Sequence, residues 1–157
     1  MNAEAKKAVV AMYKRLLKEH LPGYSYVRAG VPHRSTFEFV KNDNLRLQIY
    51  IHWQSYSDEY TLEVGWTYKS TQDDVISYLD PIAATCEDAV AISLSVIAGQ
   101  EGNTWWDVQK CYSSSPSELN DANIKFMKLL RSSFQVLQQI GIPYLDRVVT
   151  VKLADEK

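Results

Sequence analysis

Two stretches with a period of two constrain this chain more than anything else in it. Leu45, Leu47, Ile49, Ile51 and Trp53 alternate with Arg46, Gln48, Tyr50, His52 and Gln54, and shortly afterwards Tyr60, Leu62, Val64 and Trp66 alternate with Glu59, Thr61, Glu63 and Gly65. Successive side chains of a strand point to opposite faces, so each stretch reads as a strand with one apolar face and one wet face. Tyr56-Ser57-Asp58 between them is turn-like, which predicts an antiparallel hairpin. If Gln54 lies opposite Glu59, then His52 faces Thr61 and Tyr50 faces Glu63. Such a hairpin makes a core and carries no catalytic spacing of its own.

The elements around the hairpin are read in the same way. Val9, Val10, Tyr13, Leu16, Leu17 and His20 recur at spacings of three and four, which predicts a helix over residues 3–20, stopped by Pro22-Gly23. A short strand over Tyr24–Ala29, a turn at Gly30-Val31-Pro32 and a strand over Ser35–Val40 precede the hairpin. Thr71-Gln72-Asp73-Asp74 looks like the start of a short helix that Pro81 brings to an end. Residues 89–98 alternate like a strand, but their Ala and Ser content leaves a helix open. Gly99–Asn103 is a loop, and Trp105–Gln109 is a candidate last strand.

Ser115-Pro116-Ser117-Glu118 offers a cap, a first-turn proline and a capping acid for a long final helix. Its apolar stripe is Ile124, Met127, Leu130, Phe134 and Leu137, widened by Phe126, Leu129 and Ile140, and Gly141 ends it ahead of Pro143. The expected fold is a single α+β domain over residues 1–157. It has an antiparallel sheet of about five to six strands, with the N-terminal helix and the long C-terminal helix packed on one face.

Charge narrows the function classes. A formal net charge of −2 with a pI of about 5.9 gives no field that would draw the chain to nucleic acid or an anionic membrane. Neither a signal core nor an apolar run long enough for a bilayer is seen, so no membrane partner is expected. Cys86 and Cys111 form neither a zinc set nor a disulfide framework and suit a reducing cytoplasm.

No catalytic, metal or cofactor constellation emerges. His20, His33 and His52 are not paired at ligand spacing, there is no Gly-x-Ser-x-Gly elbow around Ser113-Ser114-Ser115, and the Gly99–Gly102 loop fits no phosphate-binding pattern. The acidic pairs Asp73-Asp74 and Glu87-Asp88 suit helix starts better than calcium. No cofactor is expected. What remains is the polar hairpin stripe of Arg46, Gln48, Tyr50, His52 and Glu63, with Trp105 and Trp106 beside a loop. On a strand those two tryptophans point to opposite faces, so one can fill the core while the other is covered or offered to a partner.

Several pieces together carry a family resemblance. They are the leading helix ending at Gly23-Tyr24, the aromatic strands, the Trp105-Trp106 pair after a glycine loop, and Gly141-Ile142-Pro143-Tyr144-Leu145. With these the chain resembles the bacterial domain-of-unknown-function 4304 group, which implies a small cytosolic α+β protein and brings no catalytic residue with it. The order of elements is also similar to the secretion-chaperone type of fold, whose members are acidic cytosolic dimers that bind partner chains.

The expected function is therefore a cytoplasmic, non-enzymatic protein-binding domain of immunity or chaperone type. Another protein would meet the polar hairpin stripe together with one of Trp105 and Trp106, while a homodimer would form through an unpaired edge strand or an uncovered tryptophan. The alternative is a small-molecule binder or enzyme with an aromatic pocket between the sheet and the C-terminal helix.

Overall fold

A computed structural model of the chain describes residues 3–27, 33–69, 76–108 and 119–156. Helix α1 (Ala3–His20) buries Ala5, Val9, Val10, Tyr13, Leu16 and Leu17, the face its periodicity predicts. Strands β1 (Ser25–Val27), β2 (Arg34–Val40), β3 (Leu45–Trp53) and β4 (Glu59–Tyr68) follow as an antiparallel meander. After β5 (Ile76–Tyr78) and the short helix α2 (Pro81–Ala84), strand β6 (Ala89–Ser93) pairs antiparallel with β4 and parallel with β5. The sheet order is β1-β2-β3-β4-β6-β5, and β7 (Trp106–Asp107) adds to the start of β4. The fold is α+β, with a mostly antiparallel sheet slightly larger than expected.

The hairpin register is the one that places Gln54 opposite Glu59. Gln54 donates its N–H to the Glu59 carbonyl at 2.9 Å, and His52 pairs with Thr61, Tyr50 with Glu63 and Trp53 with Tyr60. One face of the sheet carries Phe37, Leu45, Leu47, Ile49, Ile51, Trp53, Tyr60, Leu62, Val64 and Trp66, all buried against α1 and the C-terminal helices. Fully burying side chains of this size contributes about 1.5–3 kcal/mol each, so this face holds most of the stability. Most of its polar atoms are answered internally, and the exception among the described residues is Tyr68 Oη, which is buried at the end of β4 without a hydrogen-bond partner. Tyr13 Oη and Tyr60 Oη both meet Ser133 Oγ, which donates to the Leu130 carbonyl. Trp53 Nε1 donates to Ser35 Oγ, and Trp66 Nε1 donates to the Glu87 carbonyl.

Pro81 and Pro143 both depart from the expected reading, each standing in the first turn of a helix. The helix start sought at Thr71–Asp74 lies outside the described residues, and where the chain is described again Ile76–Tyr78 is a strand. Pro81 opens a helix instead of closing one. Asp80 caps α2, accepting from the backbone N–H groups of Ile82 and Ala83, with Pro81 in the first turn, where its missing N–H costs nothing.

At the C-terminus, α4 (Leu119–Val136) does not stop at Gly141. It widens into a π-helical turn (Leu137–Gly141) and continues as α5 (Ile142–Ala154) with Pro143 in its first turn. A proline ring clashes with the carbonyl four residues earlier in a regular helix, and a π turn relieves that clash by widening the spiral. Gly141 is buried with ordinary helical torsions. A Cβ there would lie 2.8 Å from Leu94 Cδ2, 2.9 Å from Leu137 Cδ1 and 3.1 Å from Val64 Cγ1. The glycine is needed for close helix–sheet approach, not for a cap.

The segment left open between strand and helix is both, since β6 passes directly into the one-turn helix α3 (Leu94–Ile97). Ser93 Oγ accepts from the Ser95 N–H at the joint. The last strand is shorter than Trp105–Gln109, because β7 comprises Trp106 and Asp107 alone. Cys111, the serine run, the Ser115-Pro116 cap and the Gly30–Pro32 turn lie outside the described residues. No helix among the described residues is long and apolar enough to cross a membrane.

Candidate functional site

The face of the sheet opposite the helices carries the even-numbered positions of β2 and β3 and the odd-numbered positions of β4. Register brings them into rows. Arg34 pairs with His52, Thr36 with Tyr50 and Glu38 with Gln48 across β2–β3, while Tyr50 meets Glu63 and Gln48 meets Gly65 across β3–β4. Among the described residues no helix covers this face, yet it is not the wet surface that alternation suggests. Gln48 is 4% exposed, Tyr50 6%, Thr61 2% and Glu63 8%. Only Arg46 and His52 of the polar β3 stripe keep substantial contact with solvent.

Arg34 organises the centre. Its Nη2 lies 3.0 Å from Glu63 Oε2, its Nε donates to His52 Nδ1 at 3.4 Å, and its guanidinium sits 5.3 Å from the centroid of the Tyr50 ring. A guanidinium over an aromatic face is attracted by the ring quadrupole. Glu63 Oε2 lies within 3.7 Å of His52 Nδ1 as well. Arg46 and Glu38 form a second, looser pair at 3.7 Å. Gln48 Nε2 bridges Glu38 and Thr67 with long contacts of 3.4 Å each. The buried acceptor Gln48 Oε1 has no hydrogen-bond partner, and Glu63 Oε2 meets its arginine as an ion pair without hydrogen-bond alignment.

Tyr50 is fixed from below by the absence of a side chain. A Cβ on Gly65 would fall 2.8 Å from Tyr50 Cε2 and 2.3 Å from the Val90 carbonyl oxygen, so the ring fills the space that Gly65 leaves. Burial pushes the Tyr50 phenol well above its usual range. Arg34 opposes that rise, while Glu63 and Glu38 add to it. Tyr50 is therefore a neutral hydroxyl at any physiological pH.

The two tryptophans part company here. The Trp105 ring meets the His52 ring edge-on, with centroids 6.1 Å apart. Trp106 stacks on Tyr60 at 5.6 Å and packs against the core. The structure thus gathers Gln48, Tyr50, His52, Glu63 and Trp105 with Arg34 and Glu38, leaves Arg46 at the margin beside Glu38, and sends Trp106 to the other side. Arg34 and Glu38 were missed by the sequence reading. Their signal was the alternation of Arg34, Thr36 and Glu38 with Phe37 and Phe39, and it had no meaning until the β2–β3 register was known.

Chemically, the cluster fixes an imidazole from one side: the Arg34 guanidinium and the Glu63 carboxylate both face His52 Nδ1, at 3.4 Å and 3.7 Å. No group of three or more His, Cys, Asp or Glu side chains that could hold a metal ion occurs among the described residues. Cys86 is a free, exposed thiol. The zone between sheet and C-terminal helices, where an aromatic pocket was the alternative, is packed with Tyr13, Trp53, Tyr60, Trp66, Phe134 and Tyr144. Compared with known proteins, the chain matches no protein-family model, no curated protein and no solved structure.

Proposed function

We propose that this chain is a non-enzymatic protein-binding domain of the bacterial cytoplasm, of immunity or chaperone type, engaging another protein through the polar face of its sheet. The observation that carries the reading is the Arg34–Glu63–His52 cluster with Trp105 edge-on to the histidine. It combines a buried, prearranged charge network with an aromatic and two solvent-reaching groups, His52 and Arg46. Interfaces draw their affinity from such anchored aromatic and arginine side chains surrounded by groups that exclude water. Membership of the domain-of-unknown-function 4304 group is part of the same proposal and rests on Trp105-Trp106 and Gly141–Leu145.

The test is a tagged pull-down with identification of stoichiometric partners, repeated with Arg46→Glu/His52→Ala and with Trp105→Ala. These positions reach solvent or lie at its margin, so the variants should keep the parent melting temperature. The expected result is a partner whose affinity falls roughly tenfold or more in both variants, a loss of about 1.4 kcal/mol or more. A partner that binds both variants at full strength would move the contact off this face. A second copy of the chain is the other partner this face admits. Light scattering at high concentration distinguishes it, because a homodimer doubles the mass of the parent and reverts to monomer in the variants.

A further inference from the structure

Helix α4 presents two unlike sides. Leu130, Phe134 and the following Leu137 are buried toward the sheet. Ile124 and Met127, which the apolar stripe assigned to the same core, instead line an open groove of about 730 Å³ with Lys128, Arg131, Ser132 and Gln135. Ile124 is 65% exposed. These residues recur at spacings of three and four from Ile124 to Gln135, so the groove follows α4 for about 17 Å at 1.5 Å per residue.

Beyond Asp121 in its first turn, the charges of α4 are all positive. From Ala122 to Leu145 the chain has Lys125, Lys128 and Arg131 and no carboxylate, although the protein as a whole is net acidic. Elsewhere five cations have a carboxylate partner, Lys7 in Glu4, Arg15 in Glu19, Arg34 in Glu63, Arg46 in Glu38 and Lys152 in Asp88. Among the described residues no ion pair holds Lys125, Lys128 or Arg131. An apolar stripe at helical spacing flanked by unanswered cations is complementary to a helix with apolar anchors and flanking carboxylates. Met127 adds a flexible, polarizable side chain that can adapt to such anchors.

We propose that the outer side of α4 is a docking groove for an acidic amphipathic helix of a partner protein. Its anchors would lie along Ile124 and Met127 and its carboxylates against Lys128 and Arg131. This surface is separate from the polar sheet face and does not depend on what that face binds.

The probes are three synthetic peptides about four helical turns long. One is amphipathic with glutamates flanking a leucine stripe, one has lysines in place of the glutamates, and one is polyglutamate of equal length. Fluorescence anisotropy against the full chain should show the acidic amphipathic peptide binding roughly tenfold or more tighter than either control. Affinity should weaken as salt rises and fall a further tenfold or so in Lys128→Glu/Arg131→Glu. Those side chains are exposed, and an unchanged melting temperature certifies the variant. Ile124→Ser should weaken the amphipathic peptide while leaving polyglutamate unaffected. Equal binding of polyglutamate would reduce the groove to a general attraction for anions and overturn the proposal. So would indifference of the amphipathic peptide to the charge reversal. Concentration-dependent dimers of the parent that the reversal abolishes would assign the groove to a second copy instead.

Discussion

On the helical face of the β3–β4 hairpin, Leu47, Ile49, Ile51, Leu62, Val64 and Trp66 are buried among carbon atoms. On the other face of the same strands, Gln48, Tyr50, Thr61 and Glu63 are buried almost as deeply among polar ones. The apolar face is stabilised by area alone, and small changes of packing shift its contribution smoothly. The polar face gains only where each donor and acceptor finds its counterpart, and an orphaned group costs about 1–3 kcal/mol. Gln48 Oε1 has no counterpart. The helical face leaves Tyr68 Oη unanswered as well, but its buried apolar area holds the fold together, while on the polar face an open acceptor is capacity that a partner can use.

The comparison can be broken first at Trp66, which is fully buried and donates to the Glu87 carbonyl. Trp66→Ala should lower unfolding free energy by about 3–5 kcal/mol in urea titrations, and a loss below 1 kcal/mol would contradict this account of the core. Next in size is Arg34→Ala, which strands the Glu63 carboxylate. Both side chains keep slight solvent contact, so the expected loss is about 2–3 kcal/mol, below that of a fully buried pair. Arg34→Met/Glu63→Leu should recover most of it, since removing both charges leaves nothing stranded. A double variant as unstable as the single would show that the arginine acts through packing alone.

Gly141→Ala sharpens the same contrast from the helical side. The added methyl meets Leu94, Leu137 and Val64, and overpacking of this kind costs about 1–3 kcal/mol. A tolerated alanine would mean that Leu94, Leu137 and Val64 can yield to the methyl and that close approach does not require the glycine.

Alkaline pH acts on both faces together. Burial holds the Tyr144 phenol up to about 12 against an ordinary 10.0, with Arg147 opposing and Asp80 reinforcing the rise. Tyr13 and Tyr50 are raised by burial too. The folded state keeps these protons when the unfolded chain gives them up. Their contribution is thus intact below about pH 10 and is lost as pH climbs toward the folded values. Urea midpoints should be level up to about pH 10 and fall above it, less steeply in Tyr144→Phe. The smallest effect belongs to Arg46→Ala at the edge of the polar face, whose pair with Glu38 is 3.7 Å long and more than half exposed on the arginine side. Its stability change should stay within about 0.5 kcal/mol.

The period-two pattern made the hairpin legible to the residue, because a slip by one would have turned Ile49 and Val64 out of the core. Helix α1 was legible for the same kind of reason. The prolines were not. Pro81 and Pro143 were both expected to mark stops, and both stand in the first turn of a helix, a choice decided by Asp80 in one case and by a widened turn in the other. Ile124 and Met127 match the helical period of the core stripe, but period alone cannot say where along its length a helix leaves the sheet. Of the polar cluster, the Tyr50–Glu63 pairing was available from the hairpin. Arg34 and Glu38 were not, because they depend on a strand pairing that no turn motif announces. The burial of Tyr50 was equally hidden, since alternation reports sidedness and cannot report depth.

The π turn at Leu137–Gly141 has a consequence for how the C-terminus can vary. Such a turn amounts to one extra residue threaded into a regular helix. Each residue of an α-helix advances the spiral by about 100°, so the insertion acts as a gear tooth that sets the rotational phase of α5 relative to α4. It keeps Leu130 and Phe134 above the turn, and Tyr144, Leu145 and Val148 below it, all buried in one core. Losing a single residue from this turn would leave every side chain chemically unchanged and still swing that second set about a quarter-turn off the core. Length here is as strictly specified as composition is elsewhere.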